Sequence, residues 1–319
     1  MKRRYGKQQL YRKKRWSITT WRIIICLVLI AVGCSISFPT APSVIGLTVH
    51  FLDVGQADAT LVSCEGQTML VDAGLNVDAG NLVNTLKNLG VRKIDLLVGT
   101  HPHEDHIGGL DAVIDAFDIG VVWMPDIAYD TWSYRSVCKA IDKKHLKLVA
   151  PKVWDTFALG GATVTVFSPK RTDYEDLNHC SLVLKVEYNK FSMLLMGDSE
   201  EINEIEMMRA GLPLKADVLK AGHHGGNKST SKAFFSAVKP TACIISCGPD
   251  NPNFHPHPSI LRRFEQSKSA IYRTDLQGTI NLVSDGKGFN ITVEGKKSNV
   301  MNWLRRIMQG TEGSDEIND

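Results

Sequence analysis

KIDLLVGTHPHEDHIGGL, residues 93–110, is the stretch whose reading decides the fold. Ile94–Gly99 is apolar and rich in branched side chains, as a buried strand is, and Gly108-Gly109 marks the change into a helix. Four potential metal ligands lie in the turn between them. His101 and His103 are two residues apart, so in extended backbone they project to the same side. Asp105 and His106 follow as the chain bends and can aim at a second, neighbouring centre. Three imidazoles and a carboxylate crowded together repel one another and waste desolvation unless something binds them, so a cluster without cations is the poorer reading.

The other histidines support this. Of ten, only His50 and His145 lie outside four short segments, which hold His101/His103/His106, His179, His223/His224 and His255/His257. Each segment follows an apolar run or sits in a Gly/Pro/Asn-rich loop, as ligands carried on loops of a sheet scaffold do.

The run THPHEDHIGG resembles the signature of the metallo-β-lactamase fold. The surrounding blocks are HFLDVGQADATLV (50–62), MLVDAG (69–74), LNHCSLVLKV (177–186), MLLMGDSE (193–200), DVLKAGHHGGNKSTS (217–231), HPHPSIL (255–261) and YRTDLQGTI (272–280). In that order they resemble the metal-hydrolase domain of the competence protein ComEC and its stand-alone secreted relatives. The resemblance implies an α/β fold, an αββα sandwich of two facing sheets with helices outside and the site along one edge.

Residue roles follow from the resemblance and from the chemistry. His101, His103, Asp105 and His106 are the expected ligands of two cations. Gly197 permits close backbone approach, and Asp198 can give one oxygen to each cation, as the bridging carboxylate of the family does. His223 matches the fold's last ligand, which leaves His224 facing substrate; the reverse order is the alternative. His179 falls where the wider fold has a third ligand of the first cation, in a slot that the ComEC-like pattern varies. Asp72, ending a strand, can accept a hydrogen bond from a ligating imidazole. Asp105, His224 and His255 form the expected catalytic set, with His255 as the acid that protonates the leaving oxygen. Asn227–Ser231 reads as a helix cap or as a phosphate seat beside Lys228. The cofactor expected is two divalent metal ions, Zn2+ first and Mn2+ as the alternative, which together acidify a water and stabilise charge at the attacked centre. The resemblance points to a phosphodiesterase acting on DNA. A hydrolase of another ester or amide (a cell-wall phosphocholine ester, a lactone, a β-lactam) is the second reading, and a non-catalytic DNA-binding component the third.

The domain organisation reads as a basic cytoplasmic arm (1–16), a membrane anchor or signal segment (17–38), a spacer (39–46), one hydrolase domain (47–295) and an amphipathic then disordered tail (296–319). Ile23–Phe38 carries no charge and follows a basic arm, which places the N-terminus inside and the hydrolase outside the cytoplasm. A lipoprotein anchored at Cys34 and a cleaved, secreted form are the alternatives. The formal charge of +3 misleads, because nine of the 37 Lys/Arg lie in residues 1–38 with no Asp/Glu, leaving 28 basic against 34 acidic residues. The domain is acidic, so bulk charge does not attract a polyanion and the site itself has to. Seven cysteines, two of them in the apolar segment, leave an odd set; Cys243 and Cys247 sit in an apolar run and read as core.

Overall fold

The computed structural model describes residues 46–127, 129–249 and 251–295. The expected membrane segment and the tail lie outside them. Among the described residues no helix is long and apolar enough to cross a membrane. Six strands come first: β1 (Leu47–Phe51), β2 (Thr60–Cys64), β3 (Gln67–Val71), β4 (Lys93–Val98), β5 (Asp118–Trp123) and β6 (Leu148–Val149). Seven follow: β7 (Thr156–Leu159), β8 (Ala162–Ser168), β9 (Val183–Tyr188), β10 (Phe191–Leu195), β11 (Val218–Lys220), β12 (Ala242–Ile245) and β13 (Ala270–Arg273). The last two are β14 (Ile280–Ser284) and β15 (Phe289–Val293).

They form two sheets, ordered β15-β14-β1-β2-β3-β4-β5-β6 and β13-β12-β11-β10-β9-β8-β7. The chain thus leaves the first sheet after β6, builds the second, and returns at β14 to pair antiparallel with β1.

Alternation along the strands explains the layering. In β10, Phe191, Met193 and Leu195 join a core between the sheets, whereas Leu194 joins the core under the helices of the second sheet. In β12, Ala242 and Ile244 face the first core, and Cys243 and Ile245 the other. The helices are α1 (Ala79–Asn88), α2 (Glu104–Ile107), α3 (Leu110–Ala116), α4 (Trp132–Lys143), α5 (Glu201–Arg209), α6 (Lys232–Val238), α7 (Pro258–Ser267) and α8 (Thr274–Gln277). A second core packs Leu82, Leu86, Leu110, Val113, Val137 and Ile141 on the outer face of the first sheet. A third packs Met207, Phe234, Phe235, Ile260 and Phe264 on the outer face of the second. Three apolar cores separate four layers, the αββα order that the resemblance implied. The expected core cysteines, Cys243 and Cys247, are buried and free.

The proline-punctuated run PDNPNFHPHPS (249–259) reads from sequence as a rigid loop rather than a helix, yet helix α7 opens within it. Pro258 stands at the start of the helix, where a missing N–H costs nothing, and the His257 side chain accepts from Ser259 N. Ile260 and Phe264 then make the i, i+4 pair that the third core buries.

Candidate metal centre

The candidate ligands come from both sheets. After β4 the chain crosses Thr100 and delivers His101, His103, Asp105 and His106, and α2 opens at Glu104. Gly109 is needed here because a Cβ would collide with the carbonyl of Ala73. From the other sheet, β10 is followed, two residues on, by Gly197 (φ +52°), which turns Asp198 inward, and β11 leads to His223 and His224. Both histidines hold left-handed backbone, with φ of 50° and 51°. Two consecutive non-glycine residues in that region store strain, which is kept where the surrounding structure over-determines it.

Outward hydrogen bonds set the tautomers. Thr100 Oγ1 donates to Asp72 Oδ2 at 2.9 Å, so its oxygen accepts from His101 Nδ1 at 3.2 Å. His106 Nδ1 donates to Asp72 Oδ2 at 2.8 Å, the role expected of Asp72. His224 Nδ1 donates to the Ser246 carbonyl at 3.0 Å, and His223 Nδ1 to Glu200 Oε1 at 2.9 Å. With Nδ1 donating, the neutral form of each ring carries its lone pair on Nε2, and all four Nε2 atoms point toward Asp198. Its Oδ1 lies 3.2 Å from His106 Nε2 and 3.7 Å from His224 Nε2. Its Oδ2 lies 3.9 Å from His101 Nε2 and 3.8 Å from His223 Nε2. Asp105 Oδ2 completes the first pair at 3.3 Å from His224 Nε2, and His103 Nδ1 the second at 2.9 Å from His101 Nε2.

The donor set is suited to cations. His106 Nε2, His224 Nε2 and Asp198 Oδ1 are buried and have no hydrogen-bond partner, and they face one another. Unpartnered buried polar atoms are costly, and a cation among them removes the cost. Asp105, His106, Asp198 and His224 offer ligand atoms that all lie within 4.8 Å of one another. Charge points the same way. Burial opposes a charge on His106, yet Asp198, Asp72 and Asp105 hold its pKa well above the ordinary imidazole value. Burial likewise opposes the Asp198 carboxylate, and His106 and His224 hold it well below the usual range.

Two expectations change. His224, 1% exposed, takes the place beside Asp105 and His106 that was expected of His223; the strained turn swings His223 toward Glu200 instead. His179 stands off the cluster, its Nε2 donating to Glu200 Oε2 at 3.1 Å. His255 is nearby as expected, its ring edge-on to His223 with centroids 5.1 Å apart. Burial, then His223 and His224, push its pKa down to about 4.

Some residues escaped the sequence reading. Glu200 accepts from both His179 and His223. Lys220, 3% exposed, pairs with buried Asp58 and so ties β11 of one sheet to the β1–β2 loop of the other. A lysine inside the apolar run VLKA was the available signal, since a buried charge requires a partner.

A family model described as the metallo-beta-lactamase superfamily matches residues 52–248. The chain belongs to that superfamily, which makes metal-dependent hydrolysis its class of chemistry. Among its sequence relatives is ComE operon protein 3 of Bacillus subtilis (strain 168), 29% identical over 250 residues, 73% of this chain and 32% of the relative. Another is Recombination protein 2 of Haemophilus influenzae, 30% identical over 267 residues, 82% of this chain and 31% of the relative. Competence protein ComA of Neisseria gonorrhoeae is 29% identical, with 72% and 31% covered. The ComEC-type resemblance is thereby shown, and the chain spans about a third of the length of these relatives. The fold is shared with CmlA, a diiron β-hydroxylase from Streptomyces venezuelae (TM-score 0.54, 16% identity, 76% of this chain and 55% of that one). It is also shared with the metallo-beta-lactamase fold protein YhfI from Bacillus subtilis (TM-score 0.50, 13% identity, 72% and 95%).

Proposed function

We propose that the chain is an extracytoplasmic, two-cation phosphodiesterase that cleaves DNA. The observation that carries the two-cation part is the division of inward-facing donors between the two oxygens of Asp198. On this reading His101, His103 and Asp198 Oδ2 serve a first cation, and Asp105, His106, Asp198 Oδ1 and His224 a second. Zn2+ suits the imidazole and carboxylate donors, with Mn2+ the alternative. When bound, such a pair supplies an acidified water as nucleophile and positive charge at the attacked centre. The protein's own part is to fix each imidazole by its Nδ1 bond and to keep Asp198 buried between the two donor groups.

DNA as the substrate rests on the ComEC resemblance and on the competence and recombination proteins among the relatives. The acidic domain adds no general attraction for a polyanion, so binding is local to the site. The expected anchor in residues 17–38 holds this domain outside the cytoplasm; protease added to intact cells should digest it, and full protection would overturn that placement.

The test of the reaction class is one assay of the cation-loaded chain on single- and double-stranded DNA, bis-nitrophenyl phosphate and nitrocefin. Cleavage of DNA and the nitrophenyl diester, lost on chelation and in Asp198→Asn, is the expected result. Turnover of nitrocefin with both phosphodiesters untouched would replace the proposal by the amide-hydrolase reading.

A further inference from the structure

Glu200 lies two residues beyond Asp198, 4% exposed, and its carboxylate does three things. It caps α5 together with Asn203. Oε1 accepts from His223 Nδ1 at 2.9 Å, and Oε2 accepts from His179 Nε2 at 3.1 Å. One carboxylate therefore holds two histidines, with opposite effects. His223 donates through Nδ1, so its Nε2 is left free and lies 3.8 Å from Asp198 Oδ2, on the side of His101. His179 spends Nε2 itself on Glu200, which leaves that atom no lone pair for a cation. His101 and His103 supply only two nitrogens on that side, and a third donor completes a four-coordinate cation with Asp198.

We infer that Glu200 is a positioning residue that supplies the first cation with its third nitrogen from His223 and withholds His179 from it. The inference rests on the two-cation reading above. It explains why the adjacent histidines point apart: His224 turns inward to the second cation's donors, and His223 is drawn by Glu200 across to the first. It also accounts for the left-handed backbone at both positions, since that turn lets neighbouring residues serve opposite oxygens of one carboxylate.

The test is the cation content of the full chain in detergent, stripped by chelation and then equilibrated at a free Zn2+ level that just fills the wild type. Glu200→Asp keeps the charge and an oxygen fit to cap α5, but is one methylene short of both imidazoles. The expected content is two cations in the wild type and close to one in Glu200→Asp, with first-site affinity down roughly 10–100-fold, the usual effect of removing a residue that orients a ligand. His223→Ala should match it, and His179→Ala should keep both cations. Two cations retained in Glu200→Asp would overturn the inference, as would loss of one from His179→Ala with two kept in His223→Ala. Loss of both cations from Glu200→Asp would make Glu200 a general structural residue and overturn it too. A wild type that never holds two would instead overturn the two-cation reading underneath.

Discussion

His255 shows what a single side chain's surroundings decide. Burial and the neighbouring imidazoles lower its pKa to about 4, so in the free site it is neutral at neutral pH. An anionic phosphate drawn alongside favours the protonated ring, the form that can hand a proton to a departing oxygen. In the substrate assay, His255→Ala should therefore keep its cations and lose roughly 10²–10⁴-fold on DNA, the usual scale for general acid catalysis. The loss on the nitrophenyl diester should be much smaller, because that leaving group departs without a proton; equal losses would remove His255 from the acid role. The types of ligand were legible because His-x-His-x-Asp-His leaves few other uses for so many donors. Which of His223 and His224 turns inward was not. That depends on the backbone sign at both residues and on Glu200, 23 positions away in the chain.

At the scale of an element, the loop before α6 was read as a helix cap or a phosphate seat, and the seat is already filled. Glu204 of α5 is fully buried, accepts from Ser231 N at 2.8 Å and also from Thr230 N, and so occupies the place a phosphate would take. The sequence showed the donors of that loop but not the acceptor, which arrives from another helix. Burial raises the Glu204 pKa to about 7, despite the hydrogen bonds from Ser231 and Thr230. The folded-state value lies above the unfolded one, so its contribution to stability is full below the ordinary glutamate value of 4.5 and is lost as pH rises through about 7. The shift corresponds to roughly 3 kcal/mol. Between pH 5 and pH 8 the wild type should lose more thermal stability than Glu204→Gln, whose side chain does not ionise. Parallel curves for the two proteins would mean that the Glu204 pKa is not raised by folding. The same scale explains the missed α7: a Pro-rich approach masks a helix whose first residue is itself proline.

At the scale of the molecule, the site is a seam. One sheet carries His101, His103, Asp105, His106 and Asp72; the other carries Asp198, Glu200, His223 and His224, with the Lys220–Asp58 pair joining the two beneath. Strand periods and Gly-rich turns made the sheets readable, and the ligands fell at strand ends because loops there can point side chains without interrupting a ladder. The pairing of β14 with β1 joins segments 229 residues or more apart and has no local signal; the sequence places the 278–283 strand with β13 in the second sheet, and the structure returns it to the first. Crystals of the Zn2+-loaded protein, measured at the metal's absorption edge, test the central claim most directly. Two anomalous peaks are expected, one bonded to Asp105, His106, His224 and Asp198 Oδ1, the other to His101, His103, His223 and Asp198 Oδ2. A single peak, or two peaks that do not share Asp198, would contradict the two-cation site.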